Sequence, residues 1–584
     1  MAGITGAVWA AAVRPDPLPA DEESEAEALL APEAAGDSRS PAAARRVGHF
    51  GPALLLPCGA LVLVALAAPV APWPLLKHLG RRDTEELAAA GPHLCSAPAC
   101  SGKEACLRIV DSFLDAQPRH FGLPQVRAPG NLGGGPCGPL CDLPVECPEG
   151  PAKCRHDTYD SALAAIYYAK RGKLDAAKGI LDALIPLLYP ETLETLRPST
   201  SETLYKGVAS GRTLTLLASS YNSANRPQAG NYEAPYVTDG GVDSGNNAWA
   251  ALAFAHYAAA AQSPCYAAVA RDILHALRSA GTCDDRLQGF LGHLPPYRAN
   301  YRSAEHNIDI FALARVLGSA EDEKQAQFFV QKMYGRNEDY PASYSTGTGS
   351  THHCDWSQPP GQALAADATF WNILAGVDPD AEHATAALRY ALQSPRKDQR
   401  GHPTTRGLWV QDEDLICTGG TPPKLNGTRF TTWGNGVQWE NTASAVMAMV
   451  HYQQQHGSGA SFDLSRFVNE ARDSMRKLLG IYGGMPSSVL GGNYAAWQAG
   501  KRDTPYPGGT DTGIGWPYLR YMATAPTAWT GLMLLYQAEE GQPVQEDANP
   551  YAPPARPVPT GKDDTCLPVG ALSASAAGDA ESSV

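Results

Sequence analysis

Two kinds of helical segment alternate along this chain. The first is apolar on nearly every face, as in Ile310-Phe311-Ala312-Leu313-Ala314-Arg315-Val316-Leu317, and a helix of that composition is buried on all sides. The second carries a single apolar stripe, as in the stretch from Glu321 to Tyr334 that follows Gly318. Runs of the first kind open near Ser161, Ala248, Glu305, Ala368, Ala443 and Ala528, and an amphipathic partner follows five of them, at 174–187, 266–277, 321–334, 381–392 and 464–479. A short amphipathic helix at 103–116 precedes the first apolar one and can serve as partner to the last. Repeats of this kind, each with an inner and an outer helix, predict an all-α fold: an (α/α)6 toroid of six helical hairpins.

The connections are unequal. Inner-to-outer turns take about three residues after Ala169, Ala261 and Gly318, whereas outer-to-inner loops run over 188–243, 281–303, 336–363, 394–438 and 480–523. Loops this long in a compact domain usually carry function. All of them lead into the amino ends of inner helices, so one face of the ring gathers the loops and the acidic and aromatic residues with them.

The ends of the chain read differently. Residues 1–48 are rich in Ala, Pro and Glu and are expected to form a disordered cytoplasmic tail. Residues 51–76 contain no charge and are long enough to span a bilayer, which predicts a signal anchor. A Cys-rich stem with the first outer helix follows at 77–154, then the toroid at 155–540 and a second disordered tail at 541–584, dispensable after about 550 except where Cys566 ties it back. Twelve of the 13 cysteines lie beyond the apolar span, an even number that suits disulfides in an oxidising compartment. The single sequon, Asn426-Gly427-Thr428, lies on the same side and marks a candidate glycosylation site. The expectation is a single-pass type II membrane protein with a lumenal or extracellular domain. A net charge of −14 and the lack of a basic patch with interleaved aromatics exclude nucleic acid as a partner.

Candidate carboxylates on the long-loop face are Asp157, Asp160, Asp239, Asp243, Glu305, Asp309, Asp355, Asp367, Glu440 and Asp511. Any one of them could simply cap a helix. Glu is a poor cap, so Glu305, beside His306 and Asn307, and Glu440, between Trp439 and Asn441, stand apart. Asp309 lies one turn below Glu305 on the same helical face and would raise its neighbour's pKa. The run His352-His353-Cys354-Asp355 has a metal-like look, but adjacent histidines point apart and Cys354 suits a disulfide. Zinc within Cys137, Cys141, Cys147 and Cys154 is disfavoured because no C-x2-C pair is present. Neither the Asp-rich metal motifs of terpene cyclases, nor a Gly-x-Ser-x-Gly elbow, nor a phosphate-cradling glycine loop occurs.

The helix openings Tyr159-Asp160, Asp243-x-x-Asn246-Asn247-Ala-Trp249, Glu305-His306-Asn307-x-Asp309, Asp367 and Trp439-Glu440-Asn441-Thr442 together resemble the six-hairpin glycosidase superfamily over about residues 100–540. That resemblance implies a carbohydrate substrate in a groove on the long-loop face and no cofactor. It implies glycoside hydrolysis by paired carboxylates; the pKa-raising neighbour Asp309 then makes Glu305 the expected proton donor, with Asp243 or Asp160 as base and Glu440 as a further catalytic candidate. Substrate contacts would come from Asp239, Asn247, His306, Asp309 and Asp367, with Trp249, Trp356, Trp439, Trp516 and Tyr236 as stacking surfaces. A polysaccharide lyase or sugar epimerase of the same fold, or a non-catalytic glycan-binding toroid, is the alternative. Cys265 and Cys283 flank an outer helix about 25 Å long and are therefore expected not to pair; peptide mapping that found them joined would refute that helix.

Overall fold

The structure, a computed structural model, describes residues 94–120, 122–126, 155–191, 203–222, 241–295, 301–358, 362–393, 396–397, 403–404, 407–414, 416–456, 463–489, 509–514, 517–519, 521–537 and 543–569. Among these residues there are twelve α-helices: α1 (Lys103–Ala116), α2 (Thr158–Arg171), α3 (Leu174–Leu188), α4 (Ser244–Ala261), α5 (Pro264–Ala280), α6 (Ala304–Leu317), α7 (Ala320–Lys332), α8 (Ala366–Ala375), α9 (Ala381–Gln393), α10 (Trp439–His456), α11 (Leu464–Tyr482) and α12 (Thr524–Tyr536). The even-numbered helices form the inner ring. Each packs against the next, and α12 packs back against α2, which closes the ring. Outside it, α3, α5, α7, α9 and α11 pack on the inner helix that precedes them, and α1 packs on α12 as the sixth partner. The fold is an (α/α)6 toroid. The long loops also hold two-stranded antiparallel ladders, the longest pairing Trp409–Glu413 with Lys424–Thr428.

The inner helices are apolar all round because each is enclosed by two neighbours and an outer helix. Small side chains let them approach closely. A Cβ at Gly531 of α12 would run into the ring of Tyr167 on α2. The tight inner-to-outer turns use left-handed residues: Gly172, Gly318 and Gly376 have φ of 79°, 73° and 64°, and after α4 Gln262 takes the same role at 51°.

One polar device recurs at the fourth residue of the inner helices. There Asn247, Asn307, Thr369, Thr442 and Thr527 each donate to the carbonyl of the residue just before their helix, at 2.7–3.0 Å. The same side chains anchor incoming loops. Asn247 and Asn307 accept from the backbone N–H of Leu217 and Phe290, both at 2.8 Å, and Thr442 and Thr527 accept from Thr428 and Met485, both at 3.0 Å. Asn247, expected to touch substrate, is therefore engaged with backbone and holds a loop instead.

Two turns into the inner helices the axis is filled. The sixth residues of α4, α8 and α12 are Trp249, Trp371 and Trp529, with ring centroids 5.6–5.8 Å apart. Trp249 is thus part of an aromatic plug and offers no open face to a ligand, contrary to the stacking role expected of it. Tyr551 completes the plug, 5.2 Å from Trp249.

Tyr551 arrives from a segment that was expected to be a loose tail, and this is the main correction to the domain plan. Residues 543–569 run across the opening at the carboxyl ends of the inner helices. His256 of α4 lies 2.8 Å from the Pro550 carbonyl, Arg315 of α6 donates to the Tyr551 carbonyl at 2.9 Å, and Asn549 donates to Leu374 O at the end of α8 at 2.9 Å. A Pro-rich strand cannot join a sheet or helix, but its carbonyls can still be bound by side chains. Cys566 pairs with Cys265, and the other bridges among the described residues are Cys95–Cys417, Cys100–Cys106 and Cys283–Cys354. Cys265 and Cys283 are not joined, as the helix between them requires. Residues 1–48, the apolar span 51–76 and the cysteines from Cys137 to Cys154 lie outside the described residues. Among the described residues no helix is long and apolar enough to cross a membrane.

Because Tyr551 is buried in the plug, Tyr551→Ala should lower unfolding free energy by about 3–5 kcal/mol. Denaturant unfolding of the variant checks this, and a loss below about 1 kcal/mol would show that the tail only lies on the surface.

Candidate active site

A closed ring gives each helical position one direction. The second residue of every inner helix faces the axis at the mouth of the long-loop face, and around the ring these residues are Tyr159, Gly245, Glu305, Asp367, Glu440 and Ala525. Three successive repeats, α6, α8 and α10, thus place carboxylates at one level. The sixth residues, one turn below, are Leu163, Trp249, Asp309, Trp371, Ser444 and Trp529, so the carboxylates stand on the aromatic plug.

The three are not equivalent. Burial, then Asp367 and Asp309, push the Glu305 carboxyl well above its ordinary range, and it hydrogen-bonds to Asp367. Burial also raises Asp367, while its bonds with Glu305 and with its neighbour's backbone pull the other way; the Ala368 N–H donates to it at 2.6 Å. Both carboxyls of the pair are thus raised, Glu305 the more strongly, and Glu305 is half-buried and retains the most solvent contact of the three. Glu440 is raised to about 7, chiefly by burial. It accepts the Tyr159 hydroxyl at 2.6 Å, and Tyr159 in turn accepts the Trp529 indole N–H at 2.8 Å. Asp309 is pushed well above the ordinary range by burial and accepts the Tyr551 hydroxyl at 3.1 Å. Tyr518, from the loop before α12, is buried within the field of Glu440, Asp367 and Glu305, and burial first, then those carboxylates, keep its phenol protonated.

A second polar cluster adjoins the first. Asp243, just before α4, lies 2.7 Å from His293 Nδ1 and accepts the Ser219 hydroxyl at 2.6 Å. Burial alone would raise its carboxyl, but His293, His306 and the Ser219 hydroxyl together outweigh that and hold it low. His306, third in α6, is lowered to about 4 by burial and is neutral. Its Nδ1 lies 3.1 Å from the Ser244 hydroxyl, and its ring occupies the space a side chain at Gly245 would take. His306 thereby fills the gap that glycine leaves at the axial level.

The structure thus brings Glu305, Asp309, Asp367 and Glu440 together, with His306 and Asp243 alongside. Asp160 is buried beside them and accepts the Ala525 N–H at 3.1 Å, with its carboxyl raised to about 6 by burial. Trp439 is fully buried and cannot stack on a ligand as expected. Trp356 is exposed in the loop before α8. Asp355 accepts from the backbone of Thr351 and Ser357 and braces that loop. Asn426 is half-buried in its ladder, where its Oδ1 accepts from Gln411 at 2.9 Å. Asp239, Tyr236 and Trp516 lie outside the described residues, as does the Asp511 side chain. Sequence reasoning missed Tyr159 as a partner of Glu440, although its helical position matches. It also missed His293, Tyr518 and Tyr551, which enter from loops or tail and carry no periodic signal.

No protein-family model matches the chain, and no curated protein matches it in sequence. Among solved structures it is similar to a cellobiose 2-epimerase from Bacillus thermoamylovorans, at 8% identity and a TM-score of 0.45 over 74% of this chain and 98% of that one. It is also similar to a family 76 glycoside hydrolase from a bovine Bacteroides thetaiotaomicron strain, at 10% identity and 0.43 over 74% and 77%. An endo-β-1,4-glucanase from Acetobacter xylinum shows 10% identity and 0.36 over 65% and 98%. At these values the toroid rests on its own closed ring, and the chemistry on its own side chains.

Glu440 generates a stability prediction. Its carboxyl stands at about 7 in the fold against 4.5 when free, so the native state holds more protons than the unfolded one between those values, and stability falls as pH rises through them. Glu440→Gln removes that loss. The melting temperature of the variant should overtake the parent's increasingly from pH 4.5 to 7 and then level off; a pH-independent difference would contradict the raised pKa.

Proposed function

We propose that this chain is a glycoside hydrolase acting on a polysaccharide or glycan bound across the long-loop face. The observation that supports this reading is the placement of Glu305, Asp367 and Glu440 at one axial level, where all three carboxyls are raised and one can hold a proton while another ionises. Hydrolysis needs both. In this scheme Glu305 protonates the leaving glycosidic oxygen, and Asp367, hydrogen-bonded to it, keeps the proton on Glu305 until it is used. Glu440, aligned by Tyr159, takes the proton of the attacking water. It is preferred to Asp243 and Asp160 as base because those two are engaged with His293 and with α12. The disulfides suit an oxidising compartment, and residues 51–76 would anchor the toroid there. No metal or cofactor enters the scheme.

A second reading is sugar epimerisation or isomerisation. Neutral, buried His306 beside Glu305 favours it, since a neutral imidazole can accept a proton from carbon next to a carbonyl. Product analysis separates the readings: new reducing ends mark hydrolysis, and an altered monosaccharide with no chain cleavage marks the alternative.

If Glu305 is the donor, Glu305→Gln should lower turnover on the order of a hundredfold or more without loss of melting temperature. Turnover in the parent should rise with pH through about 7 as Glu440 ionises and fall again where Glu305 loses its proton. Full activity in a folded Glu305→Gln protein would remove Glu305 from the chemistry.

A further inference from the structure

Outside the axial site, the long-loop face sets two arginines beside an exposed tryptophan, on a protein whose net charge is −14. Two loops build it, one before α6 and one before α8, joined by the Cys283–Cys354 bridge. Trp356 is 49% exposed, and the guanidinium of Arg286 lies over its ring 3.7 Å from the centroid. Arg336 donates to the Trp356 carbonyl at 2.9 Å and to Gln358 Oε1 at 3.1 Å, both neutral acceptors. Two of the carboxylates near these residues in the chain, Asp285 and Asp355, are already engaged, while Asp284, Glu338 and Asp339 form no ion pair with either arginine. Asp285 forms a two-pronged pair with buried Arg302 at 2.6 and 2.8 Å, and Asp355 accepts from Thr351 and Ser357. Arg302 also donates to the Asp355 carbonyl at 2.8 Å, which ties the patch to the residue preceding the cap of α6.

Among the described residues, therefore, no carboxylate pairs with either Arg286 or Arg336. The two cations repel: burial first, then Arg286 and Arg302, disfavour the charge on half-buried Arg336. A rigid, covalently pinned rim that holds like charges together beside an open indole face is suited to an anion attached to a ring. Guanidinium forks match carboxylate and sulfate oxygens, and the free face of Trp356 can stack on a sugar.

We infer that Arg286, Arg336 and Trp356 form a subsite for an anionic sugar residue, one bearing a carboxylate or a sulfate ester. The inference rests on the glycan reading above and narrows it to acidic polysaccharides.

The test uses the full chain and four polymers: polygalacturonate, a sulfated galactan, a neutral galactan and poly-glutamate. Affinity is measured for the parent, Arg286→Gln and Trp356→Ala, both substitutions being at exposed positions, with melting temperature as the folding control. The parent should bind polygalacturonate or sulfated galactan, and each variant should lose about tenfold in affinity for it, the scale of one charge-assisted or stacking contact. Which of the two polymers responds identifies the anion. Unchanged affinity in both folded variants would overturn the subsite. So would an equal loss on neutral galactan, or an equal loss on poly-glutamate, which would make the patch a general polyanion surface. Binding to Glu305→Gln should persist. If that binding persists while the parent turns over none of the polymers, hydrolysis fails and the subsite stands.

Discussion

Closure of six helices into a ring is the constraint on which the rest depends. In an open bundle, a carboxylate in the first turn of a helix can turn to solvent and act as a cap. In a closed ring the second residue of each inner helix has only the axis to face, so Glu305, Asp367 and Glu440 must share one small volume. Burial raises all three, and repulsion from Asp367, Asp309 and Glu440 raises Glu305 further, while Tyr159, Gln438 and the Ala368 N–H supply hydrogen bonds that offset part of the cost.

The floor beneath them has a composite origin. Trp249, Trp371 and Trp529 come from three different repeats, and Tyr551 comes from beyond the last one. Packed rings exclude water from the lower axis, which keeps the dielectric low around Asp309 and Glu305 and strengthens their interaction. The carboxyl-terminal segment is thus part of the electrostatic design: it seals the far end of the ring and donates a hydrogen bond to Asp309. Its bridge through Cys566 fixes that seal to α5.

Long loops give the same face two zones. The axial zone is acidic and built on helix starts. The rim zone near Trp356 sets two arginines beside an exposed indole, on loops that a disulfide holds together.

The sequence by itself determined the repeat. Inner helices announce themselves by being apolar on every face, and outer ones by a single stripe, because those patterns reflect how many neighbours a helix has. The acidic helix starts, and the i to i+4 relation of Glu305 and Asp309, were legible for the same local reason. Only the tertiary structure decided which polar residue serves chemistry and which serves architecture. Asn247 looks like a ligand-binding residue in sequence, yet it clamps backbone, as Asn307 does, since a side chain's partner is set by loops that lie far along the chain. Trp249 and Trp439 look like stacking platforms, yet ring closure buries them. The tail at 543–569 has the composition of a disordered segment, yet it is held by His256, Arg315, the Leu374 carbonyl and Cys265, long-range contacts that no local pattern encodes. Composition reports what a segment can bury by itself; the fold decides what other segments bury it.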